Sequence, residues 1–188
     1  MPRIPAKKTS EAGLFLKLFY RMAGRRYGAV PEPMAVTAHH GGLLRASAAH
    51  ELLVERAMKK LPKNVWELAV YRVATQLGCS WCVDFGAMLQ LHGGLDIERL
   101  KHIDEYATSP AFDRQERLAL AYADAMTASP ITVTDEQVAE LEAEFDREGV
   151  LELTYQIALE NSRARMNSAL GIVAQGFTSG DACRIPLP

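Results

Sequence analysis

Gly78-Cys79-Ser80-Trp81-Cys82-Val83-Asp84-Phe85-Gly86-Ala87-Met88-Leu89 places two of the chain's three cysteines three residues apart at the start of a helix. A helix start carries backbone N–H groups without intrahelical partners and the positive end of the helix dipole, and both favour thiolate over thiol. A second thiol one turn away can close on an oxidised first one as a reversible disulfide. The residues before the pair form a helix of their own. Val65, Leu68, Ala69, Val73, Ala74 and Leu77 recur at helical spacing, Asn64 reads as the N-cap, and Gly78 falls at the C′ position. Two helices joined this tightly pack against each other, so the stretch sets the fold class as well as the chemistry.

Outward from that pair the helical period continues. It predicts helices over 11–24, 46–60, 113–128, 134–147 and 151–174, and shorter ones over 34–40 and 96–106. Thr134 with Gln137 three residues on has the capping-box pattern. Pro31 and Pro33 mark a loop, Gly41-Gly42 a break, Pro62 a stop, and Glu148-Gly149 a short interruption. No alternating run of strand length occurs, so the expected fold is all-α. The expected organisation is a basic N-terminal arm and amphipathic helix (1–30), a helical domain (31–175) and a tail (176–188).

Composition narrows the partners. A chain of 188 residues, 48% hydrophobic and 23% charged, is long enough for one well-packed domain. A formal charge of −2 gives no reason to expect nucleic acid. Residues 1–30 carry seven Lys or Arg against the single acid Glu11, whereas 96–160 carry sixteen acids against five bases, a pattern of solvated or mutually complementary faces. Leu14, Phe15, Leu18, Phe19 and Met22 give the first helix an apolar face that could dock on its own chain or on a neighbouring subunit; a membrane surface is the less favoured partner. No run is long and apolar enough to span a bilayer, and no secretory signal is visible, so the expected location is a reducing cytoplasm. There a close cysteine pair is catalytic or metal-binding rather than structural. Neither Cys183 nor His39, His40, His50, His92 and His102 supply a second ligand pair at zinc spacing, so neither metal nor cofactor is expected, and Cys183 reads as a bystander.

Glu67 sits twelve residues before Cys79 on the preceding helix. Two readings stand side by side. It could take the proton a thiol must lose, directly or through water. Alternatively Asn64-x-x-Glu67 is a capping box in which Glu67 only reaches back to its own helix start.

The run Glu67-Leu68-Ala69-Val70-Tyr71-Arg72-Val73-Ala74 through Gly78-Cys79-Ser80-Trp81-Cys82 resembles the AhpD-like alkylhydroperoxidase branch of the carboxymuconolactone decarboxylase superfamily. So do Arg114-Gln115-Glu116-Arg117-Leu118-Ala119 and the late segments Glu160-Asn161-Ser162-Arg163 and Met166-Asn167-Ser168-Ala169-Leu170-Gly171. The resemblance covers roughly residues 30 to 175. It implies a helical fold assembled as trimers or hexamers, and a thiol peroxidase acting on a hydroperoxide or disulfide with an external thiol reductant. It further implies that Cys82 attacks the peroxide, Cys79 resolves the product as a disulfide, and Glu67 relays protons. One family feature is missing: the relay His expected four residues after the second cysteine is Gly86 here. That departure keeps open a non-catalytic oligomer or small-ligand binder with a residual cysteine pair, and, third, a decarboxylase or lactone-acting enzyme of the superfamily.

Overall fold

Helix α4 (Lys63–Gln76) holds the centre of the computed structural model, which describes residues 2–94 and 96–178. Around it stand α1 (Leu14–Tyr27), α2 (Glu32–Thr37), α3 (Gly41–Ala57), α5 (Ser80–His92), α6 (Arg114–Thr127) and α7 (Asp135–Leu170). A short 3₁₀ turn at Thr9–Glu11 and a longer 3₁₀ segment at Ile97–Glu105 complete the order, and no strand occurs among the described residues. The fold is all-α. No described helix is long and apolar enough to cross a membrane.

Helix α4 is buried on two sides because its apolar residues occupy more than one stripe. Leu68, Tyr71 and Ala74 face a core shared with α5, the 3₁₀ segment and the end of α7. Val65, Ala69 and Val73 face a second core built with α6 and α7, where Ala119, Leu141, Leu153 and Ile157 have no solvent exposure. Each buried Leu or Ile there contributes about 1.5–3 kcal/mol. Over 96–106 the structure has a 3₁₀ segment in place of the expected α-helix. Its two fully buried residues, Leu100 and Ile103, lie three apart, the spacing that stacks side chains on one face of a 3₁₀ turn.

The N-terminal third has its own small core of Ala12, Leu16, Tyr20, Ala35, Ala38 and Leu44. The face that docks in α1 is Leu16, Tyr20 and Ala23, while Leu14, Phe15, Leu18 and Met22 of the expected apolar face remain exposed. Residues 2–10, the start of the expected N-terminal arm, are tied to the body. Arg3 donates through Nη1 to the carbonyls of Ser168 and Ala169 and through its backbone N–H to Leu170 O, all at 2.7 Å. Lys7 N–H reaches Ala35 O at 3.0 Å.

Gly41-Gly42 opens α3 rather than breaking the chain, because His40 Nδ1 caps the helix by accepting from Leu43 N–H at 3.1 Å. Helix α7 runs through the predicted interruption with a kink at Asp146 (φ 58°, ψ 176°), whose Oδ1 accepts from Gly149 N–H at 2.9 Å and caps the second half. A Cβ on Gly149 would lie 2.8 Å from the Phe145 Cβ, so only glycine lets the kink tighten this far.

Glu160, on the inward face of α7, is 4% exposed and sits 3.4 Å from Arg163, which also pairs with Glu51 of α3. Burial pushes its pKa up to about 7, against the opposing pull of Arg163. An acid whose folded pKa lies above its unfolded value keeps its proton longer in the fold, so its contribution to stability falls as pH rises from about 4.5 to 7. Glu160→Gln removes that slope. Melting temperatures measured from pH 4.5 to 8 fall less steeply in the variant than in the parent chain, and parallel curves would contradict this assignment.

Candidate functional site

Gly78 (φ +66°) ends α4 in a left-handed residue, with Cys79 N–H bonded to Ala74 O at 3.0 Å and Gly78 N–H to Thr75 O at 3.2 Å. This is the two-bond Schellman arrangement, and it makes Cys79 the C″ residue of α4, one past the left-handed glycine. Cys79 is at the same time the N-cap of α5: its Sγ accepts from Cys82 N–H at 3.3 Å. Cys82 thus falls in the first turn of α5, and the two are joined as a disulfide with Cα atoms 5.3 Å apart. Cys79 is 3% exposed and Cys82 7%.

From the opposite side, Asn167 of α7 points its amide at the pair. Its Nδ2 lies 3.4 Å from Cys82 Sγ and 3.8 Å from Cys79 Sγ. A second Schellman turn holds it there: Gly171 is left-handed (φ 65°), Ile172 N–H bonds to Asn167 O at 2.9 Å, and Gly171 N–H bonds to Ser168 O at 3.2 Å.

Beyond Ile172 the chain crosses the start of α5 as a strap. Asp84, 1% exposed, accepts backbone N–H groups from Gln175, Gly176 and Phe177 on Oδ2 and from Thr178 on Oδ1, at 2.8–3.0 Å, with the Thr178 hydroxyl as a fifth donor. Five donors converge on this one carboxyl group, so it is firmly engaged with the strap. Trp81 donates from Nε1 to Gln175 Oε1 at 2.7 Å, and its ring stacks on Phe85 at 4.6 Å with Phe177 edge-on. Trp81 is a wall of the site.

Glu67 lies on α4 and is 6% exposed. The capping-box reading fails: Pro62 is the N-cap of α4, and Asn64 instead donates to Glu116 Oε1 at 2.7 Å. Glu67 Oε1 is 3.4 Å from Lys63 Nζ, while Oε2 is buried and accepts no hydrogen bond. Burial raises its pKa above the usual carboxylate range, and Lys63 works against the shift. Gln90, on α5, is likewise buried with both side-chain polar atoms unpartnered.

The position of the absent relay His is now defined. A Cβ built on Gly86 would sit 3.5 Å from Cδ2 of Tyr71, so the Tyr71 ring takes the space a longer side chain would enter. Arg72 is not available to a thiolate, being held by Asp124 (2.6 Å) and Asp104 (2.7 Å). The histidines serve elsewhere: His39 contacts Pro5 O, His50 contacts the Tyr155 hydroxyl, His102 lies by Glu105, and His92 is exposed at the end of α5. No group of metal-ligating side chains forms among the described residues. Cys183 lies outside them.

Asn167 and the strap are what reading the sequence missed. The local signals for Asn167 are its place at helical spacing with Ile157, Glu160 and Ala164, all buried on one face of α7, and its position in the segment Met166–Gly171 that carries the resemblance.

Comparison with known proteins places this geometry. No family model matches the chain. The Escherichia coli K12 protein YnjA, itself uncharacterized, is 38% identical over 133 residues, covering 71% of this chain and 70% of its own. Among solved structures, the debrominase Bmp8 superposes with a TM-score of 0.83 at 20% identity over 97% of both chains. A Cys→Ala variant of it in complex with 2,3,4-tribromopyrrole gives 0.81 at 20% identity over 93% and 92%. A peroxidase-related protein with an alkylhydroperoxidase AhpD core from Ralstonia eutropha JMP134 gives 0.80 at 18% identity over 94% of each. The chain has the all-helical fold of these AhpD-core proteins. The chain belongs to the family of the Escherichia coli protein YnjA.

Gly86→Ala places a methyl group in ordinary contact with Tyr71 and gains helix propensity, raising stability by up to ~1 kcal/mol. Gly86→His must displace the Tyr71 ring and is about 1–3 kcal/mol less stable than Gly86→Ala. Urea unfolding of the two variants checks the order; a His variant as stable as the Ala variant would contradict it.

Proposed function

We propose that the chain is a thiol-dependent oxidoreductase that reduces a hydroperoxide, or exchanges disulfides, through Cys79 and Cys82. The single observation that carries this reading is the disulfide-bonded pair at the start of α5, with a hydrogen-bond donor directed at each sulfur. In the peroxide reaction the Cys82 thiolate attacks one peroxide oxygen. An S–O bond forms, the O–O bond breaks, and the alkoxide leaves and takes up a proton. Cys79 then attacks the sulfenic sulfur, the S–S bond forms and water departs. The peroxide has gained two electrons and the cysteine pair has lost two, which an external dithiol restores. The greater exposure of Cys82 supports its role as the attacking sulfur, and the capping position of Cys79 supports its role as the resolving one.

Glu67 is the proton acceptor in this scheme, directly or through water. Its support is a buried oxygen without a hydrogen-bond partner on a helix packed against α5, and a pKa already raised by burial. With Tyr71 in the place of a relay His, the proton path is short of one base, which favours a slow peroxidase over a fast one. Debromination, the activity that Bmp8 is named for, is the second reading, since a dithiol can supply the two electrons that a reductive removal of bromine consumes.

Peroxide consumption in the presence of dithiothreitol tests the scheme. Cys82→Ser abolishes it, Cys79→Ser leaves a sulfenic acid at Cys82 that a dimedone probe traps, and Glu67→Gln slows it by about 10²-fold. Unchanged turnover in Cys82→Ser would overturn the reading in favour of a non-catalytic member, and turnover of 2,3,4-tribromopyrrole without peroxide activity would favour the second.

The chain also assembles with copies of itself in this scheme, as a trimer or hexamer. The support is the exposed stripe of Leu14, Phe15, Leu18 and Met22 on α1, which none of the described residues covers. Leu18→Glu with Met22→Glu lowers the mass measured by light scattering to that of one chain; a parent protein already monomeric at micromolar concentration would contradict it.

A further inference from the structure

Asn167 is buried to 2% exposure with its amide against a sulfur pair, an arrangement that packing alone does not favour. A disulfide sulfur is a weak acceptor, and burying an amide donor against one without a stronger partner is unfavourable. An apolar side chain of the same size would satisfy the core around Ala164 and Ile172 better. The donor finds a strong acceptor only when the pair is reduced and a sulfur carries charge, because hydrogen bonds to ionised acceptors are roughly twice as strong as neutral ones.

We propose that Asn167 is a catalytic residue that holds Cys82 as a thiolate, its Nδ2–H donating to Sγ in the reduced enzyme. This inference rests on the redox reading of the pair. The two sulfurs then have different nearest donors, since Asn167 Nδ2 stands 3.4 Å from Cys82 and 3.8 Å from Cys79. Cys79 takes the backbone N–H of Cys82 at the helix start, and Cys82 takes the side chain of a helix distant in sequence. The asymmetry assigns the work: Asn167 stabilises charge at the attacking sulfur and, having no basic nitrogen, cannot accept the proton. The buried titratable groups on the elements around the pair are otherwise engaged or stand outside this role. Asp84 is held by the strap, Glu160 pairs with Arg163, Glu67 lies by Lys63, and the Tyr71 ring packs at Gly86. The site is thus built to enrich thiolate rather than to move its proton quickly. The placement of Asn167 depends on the turn at Gly171 and on Arg3 capping the carbonyls of Ser168 and Ala169.

Iodoacetamide alkylation of the reduced full-length chain, localised by fragmentation to Cys79 or Cys82, tests this. Asn167→Leu keeps the volume and removes the donor, and Asn167→Ala removes both. Each slows alkylation of Cys82 at pH 7 by about tenfold and moves its pH midpoint up by about one unit, with a smaller effect on Cys79. Circular dichroism establishes which variants are folded. A folded variant of either kind with the parent's Cys82 rate and midpoint would overturn the proposal. Failure of the redox reading has a different signature: the parent chain would form no disulfide with peroxide, while the alkylation profiles would still report on the donor.

Discussion

The turn at Gly78 fixes everything near the site. A left-handed residue at the end of α4 satisfies two of its last carbonyls and turns the chain so that Cys79, the residue after that glycine, is already the cap of α5. With only Leu77 and Gly78 between the end of α4 and the cap of α5, the first sulfur must sit at a helix start and the second in the first turn. A Cβ at position 78 would strain this conformation, since L-residues with side chains pay about 1 kcal/mol or more for positive φ. The placement of the cysteine pair and the helical hairpin are therefore one constraint seen at two scales.

A second turn of the same kind completes the site from far along the chain. Gly171 ends α7 as Gly78 ends α4, and the chain then runs on as a strap whose backbone N–H groups converge on Asp84. The strap ties the end of α7 to the start of α5, and Arg3 caps the same helix end from the N-terminus. Asn167 is positioned between these ties. The end of α7 and the start of α5 thus meet at two sulfur atoms, and the strap and Arg3 hold them there through backbone hydrogen bonds rather than by side-chain packing alone.

The α4–α5 hairpin was legible in the sequence because its signals are local: a helical period, a glycine, and two cysteines at fixed offsets. Other features failed for physical reasons. Asn64 reads as a cap by type, yet Pro62 already occupies the capping position and leaves Asn64 inside the helix, free to reach Glu116. The glycine in Glu148-Gly149 marks the tight side of a kink, not its cap, which is Asp146 three residues earlier. In α1 apolar residues fall on nearly every side, so periodicity could not say that Leu16 and Tyr20 would dock while Leu14 and Leu18 stayed outside. Asn167 and the strap donors lie more than eighty residues from their partners, and no local pattern encodes a contact of that kind.

The central claim is that Cys79 and Cys82 form a working dithiol. Counting free thiols in the fully reduced protein before and after addition of limiting tert-butyl hydroperoxide tests it most directly. The account predicts the loss of two thiols for each peroxide consumed, with Cys79 and Cys82 found linked in one peptide and both recovered on adding a dithiol. Thiols that survive the peroxide unchanged, or that oxidise beyond recovery one at a time, would contradict it.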